Sequence, residues 1–176
     1  TDKIKLAFTT LDNREVLDIN SLEHYKNLEY GNYQVGVAYV MQQAGFDIIG
    51  CDLLYDASVP FGSGLSSSAA IEVATAITLA TFSKENGNTK KDIDLVELAL
   101  LSQKAENKYV GVNSGIMDQF ASAMGKAEQA ILLDCSTLKY EYVPLKLGDY
   151  SLVIANTNKP RSLADSKYNE RRAECE

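Results

Sequence analysis

Between residues 60 and 72 the chain reads Pro-Phe-Gly-Ser-Gly-Leu-Ser-Ser-Ser-Ala-Ala-Ile-Glu, and no other stretch limits the fold as strongly. It joins an alternating run, Cys51 to Val59, to a long apolar segment, Ala69 to Phe82. Gly62 and Gly64 let the backbone bend sharply and come close to a ligand, because neither carries a Cβ. Ser66, Ser67 and Ser68 follow where a helix should begin. The first N–H groups of a helix lack intrahelical partners, and the helix dipole adds positive potential there. With three hydroxyls beside them they form an anion site whose natural occupant is a phosphate chain. A serine in such a place can also be a plain N-cap. The stretch is neither the Walker pattern, which needs Gly-Lys-Ser/Thr, nor the dinucleotide fingerprint, whose third glycine is absent.

Composition narrows the setting. The 176 residues, 45% of them hydrophobic, suffice for one sizeable domain or a large part of a bigger protein. A net charge of −7 argues against nucleic acid as a partner, so any phosphate site must be local, built from backbone dipoles, a metal and a few cations. Cys51, Cys135 and Cys175 are too scattered for a disulfide framework or a paired-cysteine metal site; buried or inert thiols in a reducing compartment are expected. No apolar run approaches membrane-spanning length and the first residues hold no signal core, so a cytoplasmic chain without a membrane partner is expected.

Patterning predicts strands at Lys3 to Thr9 and Glu15 to Ile19, an acidic link over 20–30, and a helix from Gly31 to Ala44 stopped by Gly45. The strand Cys51 to Val59 comes next, with Cys51, Leu53, Tyr55, Ala57 and Val59 on one face. The segment Ala69 to Phe82 is apolar on nearly every side and should be a buried helix. Thr89-Lys-Lys-Asp92 suggests a capping box for a helix from Ile93 to about Tyr109. Gly111 to Gly115 breaks that helix, and a short one runs from Ile116 to Met124. Strands are predicted at Ala130 to Asp134, Leu138 to Val143 and, as a buried strand, Ser151 to Thr157, before a charged helix from Asp165.

Phosphoryl transfer needs a metal bridging phosphates, a group at the acceptor hydroxyl, and cations for developing charge. Magnesium takes few protein oxygens beside phosphates and water, which Ser68 and Glu106 together could supply, although Glu106 alone would pass for a solvated surface residue. Asp118, after Gly111-Val-Asn-Ser-Gly115, is either a dipole-stabilised helix-start carboxylate or one aimed into a pocket where it could accept a hydroxyl proton. The polar region from Asn156 to Arg172 carries Tyr168, whose ring and hydroxyl suit a sugar or simple packing.

The run Gly64 to Ala70 is similar to the second signature of the GHMP small-molecule kinases, Pro-x-x-x-Gly-Leu-x-Ser-Ser-Ala. With Ala105-Glu106-Asn107, Gly111 to Phe120, and the Asn156 to Arg172 region, the chain resembles the galactokinase branch of that superfamily over essentially its whole length. The resemblance implies an α+β, ribosomal-protein-S5 domain 2-like GHMP kinase N-terminal domain, a mixed β-sheet with helices and a left-handed β-α-β crossover, against the usual hand. Residues 1–155 would be most of that domain without its first strands, and 156–176 the start of a connection to a C-terminal domain. It further implies that Gly62, Ser63, Gly64, Leu65, Ser66, Ser67 and Ser68 wrap the phosphates of ATP. Ser68 and Glu106 would hold Mg2+, Asp118 would act at the C1 hydroxyl of galactose as base or electrostatic anchor, and Tyr168 would hydrogen-bond the sugar.

Three family features are missing: the Gly-Glu-His-x-Asp-Tyr motif, the arginine before it, and the C-terminal glycine-rich motif. Pro160 also separates Lys159 from Arg161, where relatives often carry adjacent basic residues. The expected activity is conversion of galactose to α-D-galactose 1-phosphate, with the 176 residues inactive by themselves. A non-catalytic galactose and ATP sensor, or a kinase for N-acetylgalactosamine, stays open.

Overall fold

A computed structural model describes residues 2–156 and 168–175. Strand β1 (Lys3–Phe8) buries Ile4 and Leu6 and leaves Lys3 and Lys5 in solvent, the period-two alternation of a half-buried strand. It pairs antiparallel with β2 (Arg14–Asp18), Lys3 opposite Asp18, and parallel with β3 (Asp52–Tyr55), Lys5 opposite Asp52. The resulting order β2-β1-β3 is a mixed sheet, as expected. β3 is shorter than the predicted Cys51 to Val59. Its last ladder bond runs from Thr9 N–H to Tyr55 O, 3.0 Å, and beyond it β1 offers no backbone to pair with. Ala57 and Ser58 are therefore exposed.

The link over 20–30 is not wholly irregular. A 3-10 segment, Ile19–Tyr25, is capped by Asp18 and drives Leu22 into the core. Helix α1 (Asn32–Gln43) follows; Gly31, at φ 86°, starts it and Gly45, at φ 88°, ends it. Both positions need the left-handed region that glycine reaches without a Cβ penalty. Helix α2 (Ser67–Glu85) is the buried central helix foreseen, with Ala69, Val73, Ala76, Leu79 and Ala80 all in the core. Helix α3 (Leu95–Ala105) is capped by Asp94, whose carboxylate accepts from Val96 N–H at 2.9 Å. Thr89 is not the cap: its hydroxyl accepts from Asp47 N–H, 2.8 Å, and ties the α2–α3 loop to the loop before β3.

After α3 the chain widens into one π-helical turn, Glu106–Val110, closed by Gly111 at φ 93°. Helix α4 (Met117–Met124) comes next, then the antiparallel pair β4 (Gln129–Leu133) and β5 (Tyr140–Pro144). Two apolar clusters result. One joins the first sheet, α1, α2 and α3; the other gathers Ala99, Ile116 and Phe120 with Ile131, Leu133 and Leu138 at its edge. The buried strand predicted over 151–157 is overturned for its described part. Residues 151–156 form no strand, and Leu152, Val153 and Ile154 are exposed, since no backbone among the described residues pairs with them. Helix α5 (Tyr168–Cys175) matches the later part of the predicted charged helix. The expectation for the cysteines is buried or inert thiols; all three are free, Cys51 half-buried and Cys135 and Cys175 exposed.

Phe120, 1% exposed, is the largest side chain of the second cluster and meets Tyr140 edge-on at 5.1 Å. Phe120→Ala in the full-length protein should lower unfolding free energy by about 3–5 kcal/mol. Leu54→Ala, at a position 71% exposed, should change it by no more than about 0.5 kcal/mol. Denaturant titration of both variants checks the contrast.

Candidate phosphoryl-transfer site

The loop before α2 stands open. Gly62 and Gly64 take φ 64° and 80°, the left-handed region their sequence position anticipated, and the backbone from Phe61 to Leu65 is mostly exposed. Ser63 stiffens the turn by donating to Pro60 O at 2.8 Å. Ser66 occupies the N-cap, at φ 57° and ψ 43°, but its hydroxyl makes no capping bond. The first intrahelical bond at this end is Ala70 N–H to Ser66 O, 3.0 Å. The amides of Ser67, Ser68 and Ala69 thus precede any possible i−4 partner and point out of the helix start. Among the described residues the hydroxyls of Ser66, Ser67 and Ser68 also lack hydrogen-bond partners. A groove of about 190 Å³, lined by Tyr55, Val59, Phe61, Ser67 and Ile71 among others, borders this end of α2. The larger hollow lies elsewhere, under the β1–β2 turn.

One helical turn past Ser68, on the same face of α2, sits Glu72. It is fully buried and accepts a hydrogen bond from Gln119 Nε2 at 3.0 Å. The same Nε2 donates to Glu106 Oε2 at 2.9 Å. Ser114 Oγ donates to that Glu106 oxygen as well and lies 3.2 Å from Asn107 Oδ1. The backbone carbonyl of Ser114 accepts from Gln103 and Asn107 side chains. Glu106, 3% exposed, is therefore no solvated surface residue. The π-helical turn carries it, and such bulges are frequent at functional sites.

Asp118 lies in the first turn of α4, exposed and next in sequence to the buried Gln119. The five-residue loop before it is pinned from outside: Asn169 Oδ1 accepts from Asn113 N–H at 3.0 Å while Asn169 Nδ2 donates to Gly111 O at 3.1 Å. The start of α5, where Tyr168 stands, is thereby brought to the loop leading to Asp118. The side chain of Tyr168 and the whole of 157–167, including Pro160, lie outside the described residues. The arrangement gathers open amide donors, hydroxyls, a sheltered carboxylate and an exposed carboxylate around the beginnings of α2 and α4.

Residues 32–126 match the family model of the GHMP kinases N terminal domain, more than half of the chain. The chain belongs to the GHMP kinases. Galactokinase of Clostridium tetani is 47% identical over 175 residues, which is 99% of this chain and 43% of that protein. Galactokinase of Fusobacterium nucleatum is 50% identical over 175 residues, 98% of this chain and again 43% of the relative. The chain thus spans less than half the length of these curated relatives. The crystal structure of Lactococcus lactis galactokinase complexed with galactose superposes with a TM-score of 0.88 at 43% identity, covering 98% of this chain and 44% of that one. A mevalonate kinase crystal structure, at 20% identity and a TM-score of 0.61, shares the fold.

Within this GHMP kinase domain, Glu72, Gln119, Ser114 and Tyr33 escaped the reading of the sequence. For Glu72 a signal existed: a lone carboxyl amid the apolar run Ala69 to Phe82 has to be either exposed or partnered. Nothing in spacing tied it to Gln119, 47 residues away. Burial pushes the Glu72 carboxyl up to about 9, the nearby Glu106 charge adds to the rise, and the Gln119 hydrogen bond opposes it. The half-buried Tyr33 phenol is likewise pushed up to about 12 by burial and by both glutamates, so it stays neutral.

A folded-state value raised above the ordinary 4.5 means that the folded protein keeps a proton the unfolded chain releases. The stabilisation is complete below about pH 4.5 and drains away as pH climbs toward about 9. In metal-free, nucleotide-free buffer, Glu72→Gln should therefore gain stability relative to the parent full-length protein as pH rises from about 5 to 8. Denaturant titrations at several pH values check this; a pH-independent difference between the two proteins would contradict it.

Proposed function

We propose that the protein to which this chain belongs transfers the γ-phosphoryl group of ATP to the C1 hydroxyl of galactose, giving α-D-galactose 1-phosphate and ADP. The observation that carries this reading is one junction. An open amide-rich loop at the start of α2 is joined through Glu72 and Gln119 to Glu106 and to the helix turn bearing Asp118. The 43% identity and TM-score of 0.88 to a galactokinase crystallised with galactose support the choice of sugar.

In this reading the backbone N–H groups between Gly62 and Ser68 hold the phosphates, offsetting charge without a lysine. Mg2+ fits the donor set. Glu106 Oε2 is occupied by Ser114 and Gln119, whereas Oε1 accepts no hydrogen bond among the described residues. No group of three or more acidic, histidine or cysteine side chains able to hold a metal occurs among the described residues, so phosphates and water would have to complete the sphere. Ser68 Oγ and Glu106 would hold the ion, which when bound neutralises charge developing on the transferring phosphoryl group. The bond from the terminal phosphorus to the β–γ bridging oxygen breaks as the C1 oxygen takes its place. Asp118 orients the hydroxyl and accepts its proton, or anchors the hydroxyl electrostatically while the proton leaves to solvent. Tyr168 hydrogen-bonds the sugar. Residues 156–176 begin the connection to a further domain, and the reaction runs in the cytoplasm. No helix among the described residues is long and apolar enough to cross a membrane.

Asp118→Ala in the full-length protein should lower galactose phosphorylation by about 10²–10⁴-fold, the range for a lost general base, while ATP binding is retained. Coupled ADP release and nucleotide titration measure the two. Normal turnover by the variant removes Asp118 from the mechanism, and turnover of N-acetylgalactosamine in place of galactose replaces the sugar.

A further inference from the structure

Among the buried polar groups, Glu72 has no part in the chemistry above. It is fully buried on a helix whose neighbouring residues Ala69, Val73 and Ala76 are buried too, where an apolar side chain would cost less to desolvate. Among the described residues its side chain makes one hydrogen bond, to Gln119 Nε2. The two ends of that amide differ in kind: Nε2 carries two donors, whereas Oε1 only accepts. Both donors are used, one on Glu72 and one on Glu106 Oε2. Among the described residues Gln119 Oε1 is buried without a partner, and so is Glu72 Oε1. Turned over, the amide would set Oε1 against Glu106 Oε2, acceptor to acceptor. The same reversal would withdraw the donor from Glu72 Oε2 as well. Glu72 Oε2 supplies the second anchor that favours the donor end.

We propose that Glu72 is a positioning residue of the transfer site: by accepting from Gln119 Nε2 it keeps the donor end of that amide on Glu106 Oε2. The consequence is twofold. Glu106 is held with Oε1 left for a divalent cation, and the first turn of α4, where Gln119 follows Asp118, is tied to α2 one turn past Ser68. The inference rests on Glu106 as a cation ligand, part of the reading above. It differs from a packing role in one respect: a side chain that restores the pairing should restore function, whatever its charge. Glutamine at 72 meets that condition, since its oxygen can accept from Gln119 Nε2 and its nitrogen can donate to Gln119 Oε1.

The test uses the full-length protein with Glu72→Leu, Gln119→Leu and Glu72→Gln, each checked for folding by circular dichroism and thermal melting. Mn2+ binding in the presence of a non-hydrolysable ATP analogue is followed by electron paramagnetic resonance, beside kcat and KM for galactose. Glu72→Leu and Gln119→Leu should each weaken Mn2+ binding and lower kcat by about 10-fold or more, the usual loss when a partner of a metal ligand is removed. KM for galactose should stay within about twofold, because the sugar contacts are untouched. Glu72→Gln should match the parent in both measurements. Folded leucine variants that bind Mn2+ and turn over like the parent overturn the proposal, as does a Glu72→Gln variant as impaired as Glu72→Leu. If Glu72→Leu does not fold, Glu72→Met takes its place beside Glu72→Gln, because Gln119→Leu also removes the direct donor to Glu106 Oε2. A parent protein that binds Mn2+ and nucleotide but leaves galactose unphosphorylated overturns the functional reading alone, with the Mn2+ comparison still deciding Glu72. A parent that binds no Mn2+ overturns both.

Discussion

One primary amide, that of Gln119, sits where three separate pieces of chain meet: the first turns of α2, the π-helical turn after α3, and the start of α4. Both of its hydrogens end on carboxyl oxygens, and all three side chains are buried or nearly so. In such a low-dielectric setting a satisfied polar link is strong, and a broken one is expensive because it strands the partners without water. That asymmetry makes the junction specific rather than merely stabilising.

Rigidity at this junction matters because the glycine-rich loop before α2 is held by little else. Its glycines and exposed backbone give it few contacts, so its placement derives from α2, which is buried from Ala69 to Ser83 on several faces. A loop open to ligand but anchored on a buried helix combines access with fixed direction. The chain carries a net charge of −7, and no lysine lies in the loop, so in the proposed reading backbone dipoles and a cation bear the phosphate charge. The two-sided clasp of Asn169 on Gly111 and Asn113 does for the loop before Asp118 what α2 does for the glycine-rich loop.

Much of this was legible in residue order. The glycines at 62 and 64, the serine run and the unbroken apolar stretch after it specified an open turn feeding a buried helix, and these positions adopt that form. Gly45 follows the end of α1 as its sequence position predicts, and the short helix after the Gly111 to Gly115 break ends at Met124 as predicted. Failures arose where the outcome depends on a distant partner. β3 stops at Tyr55 because β1 has run out, a fact held some 47 residues upstream. Leu152, Val153 and Ile154 have a strand's composition but no ladder partner among the described residues. Thr89 has the right type for a cap but faces Asp47, leaving Asp94 to do the capping. The Glu72–Gln119–Glu106 link was invisible for the same reason: periodicity assigns a face to a residue, never the residue it will meet.

A crystal structure of the full-length protein with galactose, Mg2+ and a non-hydrolysable ATP analogue bears most directly on the central claim. The account predicts phosphate oxygens at about 3 Å from backbone nitrogens between Gly62 and Ala69. It also predicts the cation on Ser68 Oγ and Glu106, and the C1 hydroxyl of the sugar facing Asp118. A triphosphate bound away from this loop, or a sugar with Asp118 out of reach, would contradict it.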